Sequence, residues 1–125
     1  PELSDKNHAP VLNGGIIIKH NAAQHYCTDG ISDALFRLLC REAEVPCQTY
    51  YNRADIRGGS TLGNLSNSQV SLNGIDIGLA QLAMHSAYET VGTKDIEHLC
   101  KVMAVFFSKS FSEYNGEYRW ESHQK

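Results

Sequence analysis

The sequence predicts an α/β fold, a three-layer helix/sheet/helix arrangement around a mostly parallel sheet, on two observations. Short apolar runs that are β-branched or alternate at period two are separated by stretches whose apolar residues recur at helical spacing, so strands and helices alternate along the chain. Consecutive Ile16, Ile17 and Ile18 carry no polar residue between them, as expected of a strand covered on both faces. That order implies right-handed crossovers, parallel neighbours and helices on the faces of the sheet.

Each element follows from its local pattern. "GGIIIKH" (14–20) is the central strand. From Thr28 the pattern changes to Ile31, Ala34, Leu35, Leu38 and Leu39 at helical spacing, with Thr28 or Asp29 able to cap the start and Pro46 barring continuation. "CQTYYNR" (47–53) reads as a strand, "ADIRGGSTLG" (54–63) as a turn opening a short helix, and "GIDIGLA" (74–80), with Ile75, Ile77 and Leu79 at period two, as a further strand. A last helix, capped by Thr93, carries Ile96, Leu99, Cys100, Met103, Phe106 and Phe107. From Ser112 the pattern decays into a polar tail containing Tyr114, Tyr118 and Trp120, aromatics that either dock on the body or another chain or belong to a loose terminus.

Composition narrows the function. A hydrophobic fraction of 42% in 125 residues supplies a core for one domain or part of a larger one. A formal net charge of −3, with eleven scattered Lys and Arg, gives no basic field for nucleic acid. No apolar run approaches the roughly 20 residues of a membrane-spanning helix, and the start has no signal-peptide pattern. Cys27, Cys40, Cys47 and Cys100 lack CxxC spacing, and Cys40 and Cys100 fall on apolar helical faces. They read as reduced core thiols, which points to the cytoplasm.

Several residues lie where chemistry could occur, and each, the loop histidine His85 included, also has an ordinary structural reading. His85, in "QLAMHSAYET" (81–90), lies a few residues past a strand's carboxyl end, the edge at which open α/β sheets bind ligands. The turn around Gly58, Gly59, Ser60, Thr61 and Gly63 leads into a helix whose N–H groups can hold an anion or simply be capped, and no Lys follows Gly63 to make a phosphate loop. Lys19 ends the apolar strand, where a lysine ordinarily snorkels to water, and Tyr26 precedes the first helix, where a tyrosine ordinarily packs half-buried. His20 and His25 read as surface residues. A catalytic zinc needs about three protein ligands, and His85 has no HxxxH or HxD partner here. Spacing alone therefore supports only an α/β domain, with its strand ends as the place where a site would lie.

Together, "NHAPVLNGGIIIKHNAAQHY", "ADIRGGSTLG" and "DIGLAQLAMHSAYE" resemble, in order and spacing, the carboxyl-terminal part of the aspartyl aminopeptidase family of zinc metallopeptidases, over about residues 1 to 108. The resemblance implies that residues 1–111 are the carboxyl-terminal part of a catalytic domain and 112–125 a tail. It assigns His85 as a zinc ligand and Lys19 and Tyr26, seven residues apart as in the family, as substrate contacts. It implies two Zn2+ ions, a peptide substrate and a homo-oligomer, a dodecamer in the family. Arg57, Gly58 and Asn64 depart from the family's Pro-Cys and proline around the turn, which looks like a bacterial branch whose preferred amino-terminal residue need not be acidic.

The family's upstream zinc histidine, bridging aspartate and Glu-Glu pair have no counterpart in these residues, so no catalytic residue is expected within the chain. Pro1 resembles the proline of the family's His-Pro, which suggests a piece of a longer enzyme, inactive alone. The competing expectation is a non-catalytic α/β binding or assembly module.

Overall fold

The computed structural model describes residues 8–52, 55 and 59–122. Strand β1 (Ile16–His20) is the middle of a three-stranded sheet. It leads through helix α1 (Gly30–Glu42) to β2 (Cys47–Tyr51), which pairs with it in parallel from Ile16 opposite Cys47 to His20 opposite Tyr51. After α2 (Leu62–Gln69) the chain crosses to the other edge, where β3 (Ile77–Gly78) runs antiparallel to β1, Ile18 opposite Ile77.

The α/β expectation holds, but the sheet is mixed where mostly parallel pairing was expected. Period-two alternation reports which side chains share a face and carries no information on strand direction. Both long helices, α1 and α3 (Thr93–Phe107), meet the Ile16 and Ile18 face of the sheet, where Phe36, Leu39, Cys40, Val45 and Val102 complete the buried cluster.

Helix α1 begins as its sequence predicts. The Asp29 carboxylate accepts from the Ser32 N–H at 2.7 Å and the Ser32 hydroxyl accepts from the Asp29 N–H at 3.0 Å, a reciprocal capping box. The Ser32 N–H is also the main reason the Asp29 carboxyl lies below its ordinary value. The buried stripe is Ser32, Phe36, Leu39 and Cys40, rotated from the expected one, so Ile31 and Leu38 are exposed.

Helix α3 is capped differently from expectation. Gly92 is the cap and Thr93 the first helical residue, because the loop before β1 satisfies the start of α3. Asn13 Oδ1 accepts from the Lys94 N–H at 3.1 Å, while the fully buried Asp95 carboxylate accepts from the Asn13 N–H at 2.7 Å and the Gly15 N–H at 2.9 Å. Buried backbone donors need such partners, and Asp95 thereby ties the entry of β1 to α3. Cys100 is exposed, one position off the Leu99, Val102 and Met103 stripe, whereas Cys40 is buried and its thiol pushed up to about 12 by desolvation.

The expected polar tail is a β-hairpin that starts before Ser112. Strands β6 (Lys109–Tyr114) and β7 (Glu117–Ser122) pair in antiparallel register around Asn115 and Gly116, both at positive φ. Asn-Gly in two left-handed positions is the turn that matches the twist of a hairpin. Phe111 and Trp120 sit opposite each other with rings at 5.8 Å, and Trp120 packs on the core. The Lys109 ammonium meets Glu42 at 2.5 Å, binding the hairpin to the end of α1. Among the described residues no helix is long and apolar enough to cross a membrane.

Candidate active site

Parallel pairing brings the carboxyl ends of β1 and β2 to one edge of the sheet, where Lys19, His20, Tyr50 and Tyr51 emerge. Lys19 turns back across β3 rather than out to water. A Cβ at Gly78 would come within 2.8 Å of Lys19 Cε, so the absence of a side chain there makes room for the lysine stem. Its ammonium lies 5.9 Å from the centre of the Tyr26 ring, in cation–π range. Tyr26 is half-buried, and burial raises its phenol above the ordinary value against the opposing effect of its hydrogen bond with Asn52. The phenol is therefore a neutral O–H donor at neutral pH.

One aspartate holds this edge together. Asp76 Oδ2 accepts from the Cys27 N–H at 2.8 Å and from the Thr61 hydroxyl at 2.9 Å. Its backbone N–H donates to the Thr28 hydroxyl at 2.9 Å, and its carbonyl accepts from the Lys19 N–H at 2.9 Å. The residues flanking Tyr26, the end of β1 and the start of α2 thus meet on one residue. The Cys27 thiol, desolvated and bonded to Asp76, is pushed up to about 11 and is no nucleophile at neutral pH. Thr61 spends its hydroxyl on Asp76 and makes no side-chain cap bond to α2. Asn64 Nδ2 donates to the Gln24 carbonyl at 2.9 Å, a second link from α2 to the segment before Tyr26.

His85 lies on the loop between β4 (Gln81–Leu82) and β5 (Thr90–Val91), which pair antiparallel. It is exposed, has a left-handed backbone with φ of 67°, and its N–H donates to the Glu89 carboxylate. No hydrogen bond, ion pair or ring contact among the described residues joins it to Lys19 or Tyr26. The structure thus brings Lys19 and Tyr26 together and carries His85 separately, on the β4–β5 loop.

The other expected positions divide. Arg57 and Gly58 lie outside the described residues, as do residues 53, 54 and 56; Gly59 and Ser60 are exposed. His20 is not a surface residue: it stacks on Tyr51 with centroids 5.0 Å apart, and its Nε2 stands 3.2 Å from Asp33 Oδ2. That nitrogen is buried without good hydrogen-bond geometry, so the contact with Asp33 is ionic when the imidazole is protonated. A cavity of about 250 Å³ lies between α1, residues 73–75 and the hairpin, and Lys19, Tyr26 and His85 are not among its lining residues. Asp76 and Glu89 are the residues missed by sequence reasoning. Their signals were a lone Asp inside an alternating run and a carboxylate four positions after the histidine.

Comparison with known proteins decides the family. The model of the aminopeptidase I zinc metalloprotease (M18) family matches residues 1–107. The chain belongs to the M18 family. A probable M18 family aminopeptidase 2 of Pseudomonas paraeruginosa is 45% identical over 106 residues, covering 85% of this chain and 25% of that protein. Its counterpart in Stutzerimonas stutzeri is 43% identical over 113 residues, covering 88% and 26%. Yeast aminopeptidase 1 superposes with a TM-score of 0.72 at 34% identity, over 86% of this chain and 23% of that one. A chain in the structure of the Ape4 and Nbr1 complex gives 0.82 at 33% identity, over 85% and 20%. The 125 residues therefore span about a quarter of the length of the curated M18 relatives they match.

The M18 family is one of zinc metalloproteases. Among the described residues no three His, Cys, Asp or Glu side chains converge as a metal site. An exposed histidine on a self-bonded loop fits as one ligand of a site completed by residues beyond these, and not as a site by itself.

Proposed function

We propose that these residues form the carboxyl-terminal part of a zinc-dependent aminopeptidase domain, with His85 as a zinc ligand and Lys19 and Tyr26 on the substrate side of the pocket. The observation that carries the reading is the Lys19–Tyr26 pair at the carboxyl edge of β1, fixed through Asp76, in a chain whose first 107 residues match the M18 family. When bound, two zinc ions supply a water that is nucleophilic at neutral pH and polarise the scissile carbonyl. The remaining ligands, the bridging carboxylate and the general base come from other parts of a longer protein. Residues 1–111 belong to its catalytic domain, which in full is a three-layer α/β structure, and the rest of the hairpin from Ser112 is held against it through Trp120.

Each chain residue has a role that its environment suits. Lys19 presents a positive charge beside an aromatic ring, suited to a carboxylate or an acidic side chain of the substrate. Tyr26, kept protonated by burial, donates to the carbonyl oxygen as charge develops there. His85 would hold one zinc ion through its imidazole. The whole protein acts in the cytoplasm as a homo-oligomer; the neighbouring structure of S. cerevisiae mApe1 is a dodecamer, which supports the oligomer.

The test uses the full-length protein and chromogenic Asp-, Glu-, Leu- and Ala-linked substrates. His85→Ala is expected to lose bound zinc and most activity with the fold intact. Tyr26→Phe is expected to lower kcat by about 10²–10³, and Lys19→Ala to reduce the preference for acidic over neutral residues. The isolated 125-residue chain is expected to show no turnover. Unchanged zinc content in His85→Ala, or metal-dependent turnover by the isolated chain, overturns the reading.

A further inference from the structure

The 83–89 loop is exposed throughout and holds its shape by its own bonds. The Ser86 N–H donates to the Ala83 carbonyl at 3.0 Å, the Tyr88 N–H to the Ser86 hydroxyl at 3.1 Å, and the Thr90 hydroxyl to the Tyr88 carbonyl at 3.1 Å. Two non-glycine residues in it, Ala83 at φ 51° and His85 at φ 67°, occupy the sparsely populated left-handed region. Such a conformation persists only where its surroundings over-determine it, and it aims the side chain where an ordinary backbone would not. At His85 the Glu89 carboxylate accepts the backbone N–H.

We infer that Glu89 is the positioning residue of His85: its carboxylate holds the His85 backbone left-handed and thereby aims the imidazole. The inference rests on the reading of His85 as a zinc ligand. Glu89 acts through a hydrogen bond to backbone and neither binds the metal nor moves a proton. Its task therefore requires an acceptor oxygen at that position and does not require a charge. A neutral amide of the same shape keeps such an oxygen, whereas a methyl group does not. Groups that orient a metal ligand from behind typically contribute about ten- to a hundredfold in metal affinity.

The experiment compares full-length wild type, Glu89→Gln, Glu89→Ala and His85→Ala. Zinc affinity is read by chelator competition, and amide exchange is followed by mass spectrometry in peptides spanning residues 81–91. The expected result is zinc weakened about ten- to a hundredfold in Glu89→Ala, with faster exchange in the loop, and both restored close to wild type in Glu89→Gln. If Glu89→Gln loses zinc as severely as Glu89→Ala, Glu89 is a ligand or acts by its charge, and the inference fails. It fails equally if Glu89→Ala keeps wild-type affinity while His85→Ala loses zinc. Wild-type affinity in His85→Ala instead overturns the ligand reading on which the inference rests. Exchange protection in Glu89→Gln but not in Glu89→Ala would then still show that an acceptor oxygen at position 89 fixes the loop.

Discussion

Helices α1 and α2 both follow a residue able to cap them, yet one is a core element and the other is held from outside. Helix α1 closes a reciprocal capping box and buries Phe36, Leu39 and Cys40 against β1. Helix α2 buries nothing, leaves Leu62 and Leu65 77% and 65% exposed, and has no side-chain cap bond. What fixes α2 is polar: Thr61 to Asp76 and Asn64 to Gln24. The molecule thus has an apolar half, built from β1, α1, β2 and α3 with Ile75, Ile77 and Leu79 packed against it, and a site-bearing half, α2 and the 83–89 loop beside the Lys19–Tyr26 edge, in which α2 is tied on by hydrogen bonds. Apolar burial contributes cooperatively to global stability, whereas exposed polar links open locally at little cost.

The most disruptive way to break the apolar half is to empty its centre. Phe36 is 4% exposed in the buried cluster and also forms part of the cavity wall beside the hairpin. Phe36→Ala is expected to cost about 3–5 kcal/mol, a large share of a small domain's total stability. Urea unfolding followed by circular dichroism of the chain checks it. A loss below about 1 kcal/mol would mean that the cluster collapses around the change and that the two halves do not differ as described.

Asp76 is the corresponding point in the site-bearing half, with a smaller effect on stability and a larger one on the site. Asp76→Ala leaves the Cys27 N–H and Thr61 hydroxyl without their acceptor, an expected loss of about 1–3 kcal/mol. Asp76→Asn keeps an oxygen at that place and is expected to retain much of it. The sharper measurement is local: amide exchange near Cys27 and Thr61 rises in Asp76→Ala while the Ile16–Ile18 amides stay protected. Equal loosening of both regions would show that Asp76 supports the whole fold rather than one edge.

The contrast explains what was legible in the sequence. β1, α1, β2 and α3 announce themselves because burial writes apolar periodicity, and Asp29 with Pro46 bounds α1 as its residue types require. The direction of β3 was not legible, since alternation has no polarity. The hairpin was masked by its composition: only one face, with Phe111 and Trp120, turns inward, so a polar sequence conceals a regular ladder although Asn115-Gly116 marks its turn. At the site, Lys19 and Tyr26 were picked out through family resemblance, and the structure shows them adjacent. Asp76 could not be read, because an aspartate between Ile75 and Ile77 looks like the solvent side of a strand until Cys27, Thr28 and Thr61, distant in sequence, are seen to converge on it.

The smallest expected effect tests the exposed face of α2. Leu65 is 65% exposed, so Leu65→Ser removes little buried apolar area in this chain. Surface changes away from caps and partners fall within about 0.5 kcal/mol, and the unfolding midpoint of the 125-residue chain is expected not to move measurably. The same substitution in the full-length protein sharpens the comparison. If other parts of that protein cover Leu62 and Leu65, Leu65→Ser there loses the burial of one large side chain, about 1.5–3 kcal/mol. An equal response in both contexts would mean that α2 stays solvent-facing and is held by Asp76 and Asn64 alone. A loss confined to the full-length protein would mean that the site-bearing half obtains from its neighbours the apolar cover that α1 finds within the chain.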